Sequence, residues 1–525
     1  MCVVGFILQL VQLPFSTAAS IEIDHDQVKG KQLLESTYPA SIRIDDAMSY
    51  LNELQQLATA ENGTRAIDTT GFNRTLDYLT DHLAANTNFR ITKKFFSVRK
   101  FTLAHHPTLL SSINGQIVNH SYSTDPSKSD FLPVRFSTTV NLSNYTRLTV
   151  IPNFGCSHKD WLSANPPTSG RIVLINLGLC PFREKGDLAA KYNATGILFY
   201  NDGTSPDNMA PISVSLAQTN SIPALFLSFT LGERLAQAAR DLSSNVAIRF
   251  SIVLTNEAPI PVGNICADTP TGDPTQTILI GSHSDSVPAG PGINDNGDGS
   301  AANLALAATL ARLFRTRNYA KYKYRIRFCW WGAEEVGLLG SAFHVSEALK
   351  STVVGERIID YLFTLNLDML ASPNFMFGIY DGHTARNDTP PMAMPGSNKV
   401  AILFQDWFIR QGLPWDYTEY TDRADYAPFL AAGVATGDLF SGADDIKTQE
   451  QRDRYDRILG QGQGGMAGVP HDPCYHKACD SIQNVNVFVY EKMIKAAAYA
   501  IESLARQADL KTWLYPIEDS QRVTN

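Results

Sequence analysis

Two histidines and several carboxylates stand at positions that a folded sheet could bring together. They are His283 and Asp285 in Gly281-Ser282-His283-Ser284-Asp285-Ser286, Asp295 in Gly292-Ile293-Asn294-Asp295-Asn296-Gly297, the pair Glu334-Glu335, Asp368 after Asn366-Leu367, and His476 inside the frame Cys474-Tyr475-His476-Lys477-Ala478-Cys479. Taken singly, each has a plain explanation as a structural histidine or the solvated start of a helix. Together at one sheet edge, two histidines and three carboxylates would form an uncompensated anionic cluster unless cations sat among them. Nitrogen and oxygen donors of this kind suit zinc, with manganese or cobalt as substitutes. The set exceeds the three protein ligands of a mononuclear catalytic zinc and suits two metals sharing one bridging carboxylate. Its chemistry would be hydrolysis, because such a pair lowers the pKa of a shared water, polarises a carbonyl and stabilises the oxyanion. Of Glu334 and Glu335, one can bind metal while the other stays free to take a proton from that water.

Residues 276–281, 324–331 and 361–367 are apolar runs of the kind buried on both faces of a sheet, and an Ala- and Leu-rich helix is expected at 300–313. This alternation predicts an α/β fold, a mostly parallel mixed sheet flanked by helices, with ligands beyond the carboxyl ends of its strands. Each of the three strands runs into one of the candidate groups. Upstream, apolar residues recurring at three and four predict helices at 42–57 and 71–85, followed by a strand at 89–98. From about 100 to 255 the chain turns to short β-rich pieces with Pro and Gly punctuation, such as 170–177 and 247–254. No internal repeat of fixed period is present, and the Gly-rich stretch 462–468 reads as a flexible loop.

The 525 residues are 44% hydrophobic, with 35 Gly and 27 Pro, which excludes a disordered, collagenous or coiled-coil chain. Lys and Arg number 44 against 52 Asp and Glu, and no basic run interrupts that balance, so neither a nucleic-acid surface nor a polybasic membrane anchor is expected. The apolar stretch 3–15 is too short to cross a hydrocarbon core of about 30 Å. It reads as a signal peptide over 1–19 ending in small residues, although a positive leading region is missing. Its removal would take away Cys2 and leave six of the seven cysteines, an even number that suits an oxidising compartment, secreted or vacuolar. Seven glycosylation sequons begin at Asn62, Asn73, Asn119, Asn141, Asn144, Asn193 and Asn387, six of them before residue 200.

The blocks GSHSDSV at 281–287, GINDNGDGSAA at 292–302, GAEEVGLLGS at 332–341, NLDML at 366–370 and CYHKACD at 474–480 resemble, in order and spacing, the zinc aminopeptidase family that includes aminopeptidase Y and secreted leucine aminopeptidases. The resemblance spans about 256–510. It implies that His283 and Asp368 hold one zinc, that Glu335 and His476 hold the other, that Asp295 bridges the two Zn2+ ions, and that Glu334 is the general base. It further implies that Asp285 orients the His283 imidazole, that Tyr475 assists at the oxyanion, and that Arg423, in Asp422-Arg423-Ala424-Asp425-Tyr426, faces the substrate backbone. The Asp295–Asn296 peptide bond is expected to be cis on the same ground. Asp298 departs from the family pattern by adding a negative charge, which would loosen or tune the loop carrying Asp295, whereas His344, His383 and His471 read as structural.

A second resemblance, carried by Gly170-Arg171-Ile172-Val173-Leu174-Ile175, Cys180-Pro181-Phe182, Lys185 and Gly196-Ile197-Leu198-Phe199-Tyr200-Asn201, is to a protease-associated domain. Such a domain is a β-rich insert without catalytic residues of its own. The expected organisation is therefore a signal peptide at 1–19, a propeptide or N-terminal extension at 20–40, a first peptidase part at 41–130, the insert at 131–255, and the main peptidase part at 256–515. Cys474 is expected to pair with Cys479 and Cys156 with Cys180, while Cys266 and Cys329 are expected as buried thiols. The expected function is a monomeric aminopeptidase that removes apolar, leucine-like residues from peptides with a free N-terminus. Competing readings are a carboxypeptidase of related fold, a single-zinc glutaminyl cyclase, and a receptor-like ectodomain with a dead site; the complete ligand set together with Glu334 weighs against the last two.

Overall fold

The computed structural model describes residues 36–516 apart from 179, 205–208 and 242. The expected signal peptide, and the expected extension as far as residue 35, lie outside the described residues. Residues 36–40 belong to the body of the fold: Ser36 Oγ and the Tyr38 amide both donate to Glu502, and the fully buried Tyr38 donates from its hydroxyl to the Leu306 carbonyl at 2.7 Å.

Eight strands form the peptidase sheet in the order Arg90–Val98, Ile260–Asp268, Tyr324–Trp331, Asp273–His283, Tyr361–Leu367, Ala435–Phe440, Gly378–Asp381, Asp416–Glu419. The four in the middle, from Tyr324–Trp331 to Ala435–Phe440, run parallel, and antiparallel pairs flank them. Cover on both faces buries every residue of Tyr324–Trp331 and Tyr361–Leu367, the polar Arg325, Arg327, Thr364 and Asn366 included. The helices Ile44–Ala60 and Thr70–Asn86, which precede the insert in sequence, pack against Asp298–Arg315, whose run of Ala and Leu is buried almost throughout. Val487–Ala505 closes the same layer.

The insert builds its own sheet, in the order Gln116–Asn119, Thr108–Ile113, Val246–Ile252, Thr146–Val150, Ile172–Asn176, Gly196–Tyr200, Ala224–Leu227, Phe131–Pro133, with Val140–Asn141 beside Val246–Ile252. Two strands ahead of residue 131 belong to it, Thr108–Ile113 and Gln116–Asn119, because the antiparallel partner of the first is Val246–Ile252 at the far end of the insert. The β-rich character beginning near residue 100 marks this sheet more closely than the domain boundary set at 131.

Cys156–Cys180 and Cys474–Cys479 are disulfides. Cys266 and Cys329 are a disulfide too, which corrects the expectation of buried thiols. They are direct partners on the antiparallel strands Ile260–Asp268 and Tyr324–Trp331, so their Cα atoms stand 4.1 Å apart. Such closeness belongs to a cross-strand register, which the spacing of two cysteines in sequence does not report.

Candidate active site

Parallel pairing brings three strand ends to one edge. His283 closes Asp273–His283 directly opposite Trp331, so Glu334 and Glu335 follow in the adjacent loop, and Gly281 faces Asn366, which places Asp368 two residues beyond that partner. Asp295 arrives from the loop between His283 and the Asp298–Arg315 helix, and the peptide bond joining it to Asn296 is cis. His476, at φ 57°, is presented by the loop that Cys474–Cys479 closes.

These side chains meet in two groups that share Asp295. Its Oδ1 lies 3.3 Å from His283 Nε2, which is also 3.6 Å from Asp368 Oδ1 and 3.9 Å from Glu334 Oε2. Its Oδ2 lies 3.0 Å from His476 Nε2, which is 3.1 Å from Glu335 Oε2. Ligands at about 2.0–2.2 Å around a tetrahedral zinc are separated by roughly 3.3–3.6 Å; the 3.3 and 3.6 Å spacings at His283 match this, and the 3.0 and 3.1 Å spacings at His476 are slightly tighter. His283 Nε2, Asp368 Oδ1 and Glu335 Oε1 are, moreover, buried atoms without a hydrogen-bond partner. Unsatisfied buried polar atoms of that kind are costly unless something completes them. The residues present therefore fit zinc.

Electrostatics agree. Burial pushes the Glu334 carboxyl well above the usual carboxylate range, and Glu335, Asp425 and Asp368 add to this against His283. Burial likewise raises Asp368 and Glu335. Burial disfavours a charged His283, yet Glu334 and Asp368 outweigh it and hold that imidazole well above its ordinary range. Asp295 stays below the carboxylate range despite its burial, because His283 and His476 flank it. The cluster as built calls for positive charge.

Asp285 acts on His283 mainly through its backbone. His283 Nδ1 donates to the Asp285 carbonyl at 3.2 Å, which leaves Nε2 directed at the other ligands, while the Asp285 carboxylate is 3.7 Å from Nδ1 and accepts from the Glu334 amide at 3.2 Å. Tyr475 stacks on His476 with ring centroids 3.9 Å apart, and its hydroxyl accepts from Arg423 Nη2 at 3.2 Å. Arg423 thus stands over Tyr475, with Asp444 at 3.8 Å, and not among the Asp295 group. Asp298 ties down the segment after Asp368: its carboxylate accepts from the Leu370 amide at 2.8 Å. His344 and His471 are buried and hydrogen-bonded to Tyr361 and to the Asp445 carbonyl, and His383 is exposed beside Asp381. All seven sequon asparagines are exposed.

Several residues position the site through contacts between segments distant in sequence. Asp480, inside the quoted CYHKACD block, accepts from the amides of Asn294 and Asp295 at 2.8 and 3.0 Å. Asp472 receives Asn294 Nδ2 at 2.7 Å. Arg65, fully buried, donates to the carbonyls of Ser284, Pro291 and Gly292 at 2.6, 2.9 and 2.6 Å and thereby clamps the loop between His283 and Asp295. Burial draws its pKa down to about 10 against the pull of Asp285, Asp480, Glu335 and Asp295. Nothing near Arg65 in the chain hints at this, since its three acceptors lie more than 200 residues away.

A sheet of this topology with nitrogen and oxygen donors gathered at its carboxyl edge defines a metal-dependent hydrolase. Residues 264–501 match peptidase family M28 and residues 142–235 match the PA domain. The chain is 31% identical over 479 residues to an aminopeptidase of Pseudomonas aeruginosa, covering 89% of this chain and 82% of that one. It is 32% identical over 468 residues to leucine aminopeptidase 2 of Trichophyton rubrum, covering 89% and 85%. In fold it is similar to the aminopeptidase from Aneurinibacillus sp. strain AM-1, with a TM-score of 0.62 at 18% identity over 89% of this chain and 95% of that one. The zinc aminopeptidase from Bacillus subtilis gives 0.51 at 19% identity, over 88% and 95%. The chain belongs to peptidase family M28, with a PA domain inserted, and is an aminopeptidase of that family.

Proposed function

We propose that this aminopeptidase works through a dinuclear zinc centre in which His283 and Asp368 hold one ion, Glu335 and His476 hold the other, and Asp295 bridges. The observation that carries the reading is the division of Asp295, one carboxylate oxygen 3.3 Å from His283 and the other 3.0 Å from His476. Zinc bound there would supply Lewis-acid polarisation of the scissile carbonyl and an activated water near neutral pH.

Glu334 takes the proton from the attacking water and passes it to the leaving amine, a role suited to a carboxyl whose proton affinity is raised by burial. The Tyr475 hydroxyl, steadied by Arg423, donates to the developing oxyanion. Glu334 and Asp368 hold the free α-amine beside the metals, which would make the enzyme an exopeptidase. A preference for leucine-like residues is supported by the relatives named leucine aminopeptidase 2. Three disulfides fit an oxidising compartment, which supports a secreted or vacuolar enzyme; among the described residues no helix is long and apolar enough to cross a membrane.

The test is release of a reporter from a free-amine leucine substrate and from its N-acetylated form, each with and without a chelator. Hydrolysis of the free-amine form alone, abolished by the chelator and restored by zinc, is the expected result. Equal hydrolysis of both forms would overturn the exopeptidase reading.

A further inference from the structure

One guanidinium spans the boundary between insert and peptidase beside the active-site edge. Arg386 donates from Nη1 and Nη2 to the two carboxylate oxygens of Glu184, both at 2.8 Å, a bidentate pair across the boundary between the domains. Glu184 sits in the first turn of the Phe182–Lys191 helix, four residues after Cys180, whose disulfide to Cys156 anchors the start of that helix to the insert. The same guanidinium reaches Asp388 at 2.9 Å and Asp422 Oδ2 at 3.3 Å. Arg386 and Asp422 are largely shielded from solvent, with side chains 23% and 18% exposed.

Asp422 directly precedes Arg423. It occupies a left-handed backbone conformation, φ 56°, that a non-glycine residue keeps only where its surroundings hold it, and here its amide donates to the Tyr426 hydroxyl at 2.8 Å while its carboxylate is gripped by Arg386. Arg423 then donates to the Tyr475 hydroxyl, and Tyr475 stacks on His476. A contiguous path thus runs from the insert to the edge of the metal site: Glu184, Arg386, Asp422, Arg423, Tyr475, His476.

We propose that Arg386 is a positioning residue through which docking of the insert sets the placement of Arg423 and Tyr475 over the substrate, so that the insert tunes substrate binding without contributing a reacting group. The proposal rests on the reading of Arg423 and Tyr475 as substrate-facing residues. A planar fork suits it, because one guanidinium satisfies two carboxylates from different domains in a fixed geometry that an ammonium would not impose. A contiguous path becomes coupling only when changes at its two ends fail to add.

The experiment uses the full-length enzyme loaded with zinc and a free-amine leucine reporter. Glu184→Gln leaves every group near the metals in place and is expected to raise KM by about three- to fivefold, the scale of a partly exposed ion pair, with kcat and zinc content unchanged. Arg386→Met should do the same or slightly more, Arg386→Lys should recover part of the loss, and the double variant should lose no more than Arg386→Met alone. In an Arg423→Ala background, Glu184→Gln should add nothing further. A wild-type KM for Glu184→Gln, multiplying effects in that background, or a loss of zinc would each overturn the proposal. If the wild-type enzyme failed to hydrolyse the free-amine substrate, the functional reading would fall instead, so the two failures are distinguishable.

Discussion

The two sheets of this molecule handle buried polarity in opposite ways. In the insert, Lys185 is buried yet donates to the Asn176 carbonyl, Asp160 closes a capping box with Ser157, and Ser137 bonds the Val134 and Ala224 carbonyls. Among the described residues of the insert's sheet and helices, Asn176 Oδ1 is the only buried side-chain atom without a partner. At the carboxyl edge of the peptidase sheet, His283 Nε2, Asp285 Oδ2, Glu335 Oε1, Asp368 Oδ1, Asp425 Oδ2 and Asp438 Oδ2 all lack one. A sheet that only has to be stable satisfies its polar groups internally. A sheet edge that gathers metal-competent groups leaves them unpaired, and the surrounding fold must bear that cost unless a ligand satisfies them.

Removing metal should break this contrast most visibly. Because metal binds the folded peptidase site and not a preformed site in the unfolded chain, zinc a thousandfold above its Kd stabilises by about 4 kcal/mol. Exhaustive chelation should therefore lower the unfolding temperature of the peptidase part while hydrogen exchange in the insert stays unchanged; equal loosening of both sheets would refute the separation. The converse change, Leu198→Ala in the fully buried centre of Gly196–Tyr200, should destabilise the insert by about 2–4 kcal/mol in denaturant titration and leave bound zinc unaltered.

Substitutions at the glutamate pair sharpen the contrast within the site. Glu334→Gln should reduce kcat by about 10² or more while the zinc content measured by mass spectrometry stays at wild-type level. Glu335→Gln should instead lower zinc content and lose activity that added zinc partly restores. A Glu334→Gln enzyme with near-normal kcat would remove the assigned base.

The smallest effect expected is acid sensitivity set away from the metals. Burial lowers the pKa of His344 to about 3 and of His471 to about 4, below the value near 6.5 of an unfolded histidine. The unfolded chain then binds protons that the folded chain refuses, so stability is intact above pH about 6.5 and falls as pH drops below it, by at most about 1.4 kcal/mol per unit for each histidine. His344→Gln should flatten the slope of unfolding free energy between about pH 6 and 4; an unchanged slope would show that His344 does not titrate on unfolding.

Much of the peptidase half was legible from periodicity and strand-end chemistry. The strands at 324–331 and 361–367 coincide with Tyr324–Trp331 and Tyr361–Leu367, because fully buried parallel strands are written as mostly apolar runs, here interrupted only by the buried polar residues Arg325, Arg327, Thr364 and Asn366. His283, Glu334, Glu335 and Asp368 stood out because each follows such a run. The insert was less legible: its first strands at Thr108–Ile113 and Gln116–Asn119 are short and exposed in part, and only pairing with Val246–Ile252 assigns them.

What the sequence determined by itself was chemistry type and local order: which side chains could bind metal, which runs form strands, and that the strands alternate with helices. Local spacing suffices for these because helix and strand periods repeat within a few residues. Tertiary structure alone decided partnerships across long separations: Cys266 with Cys329, Arg65 with the carbonyls around residue 290, Asp480 with the amides of the Asp295 loop, and Glu184 with Arg386. Each depends on strand register or on the docking of distant segments, and both are set by how the whole chain buries its apolar surface, a quantity that no short window of sequence contains.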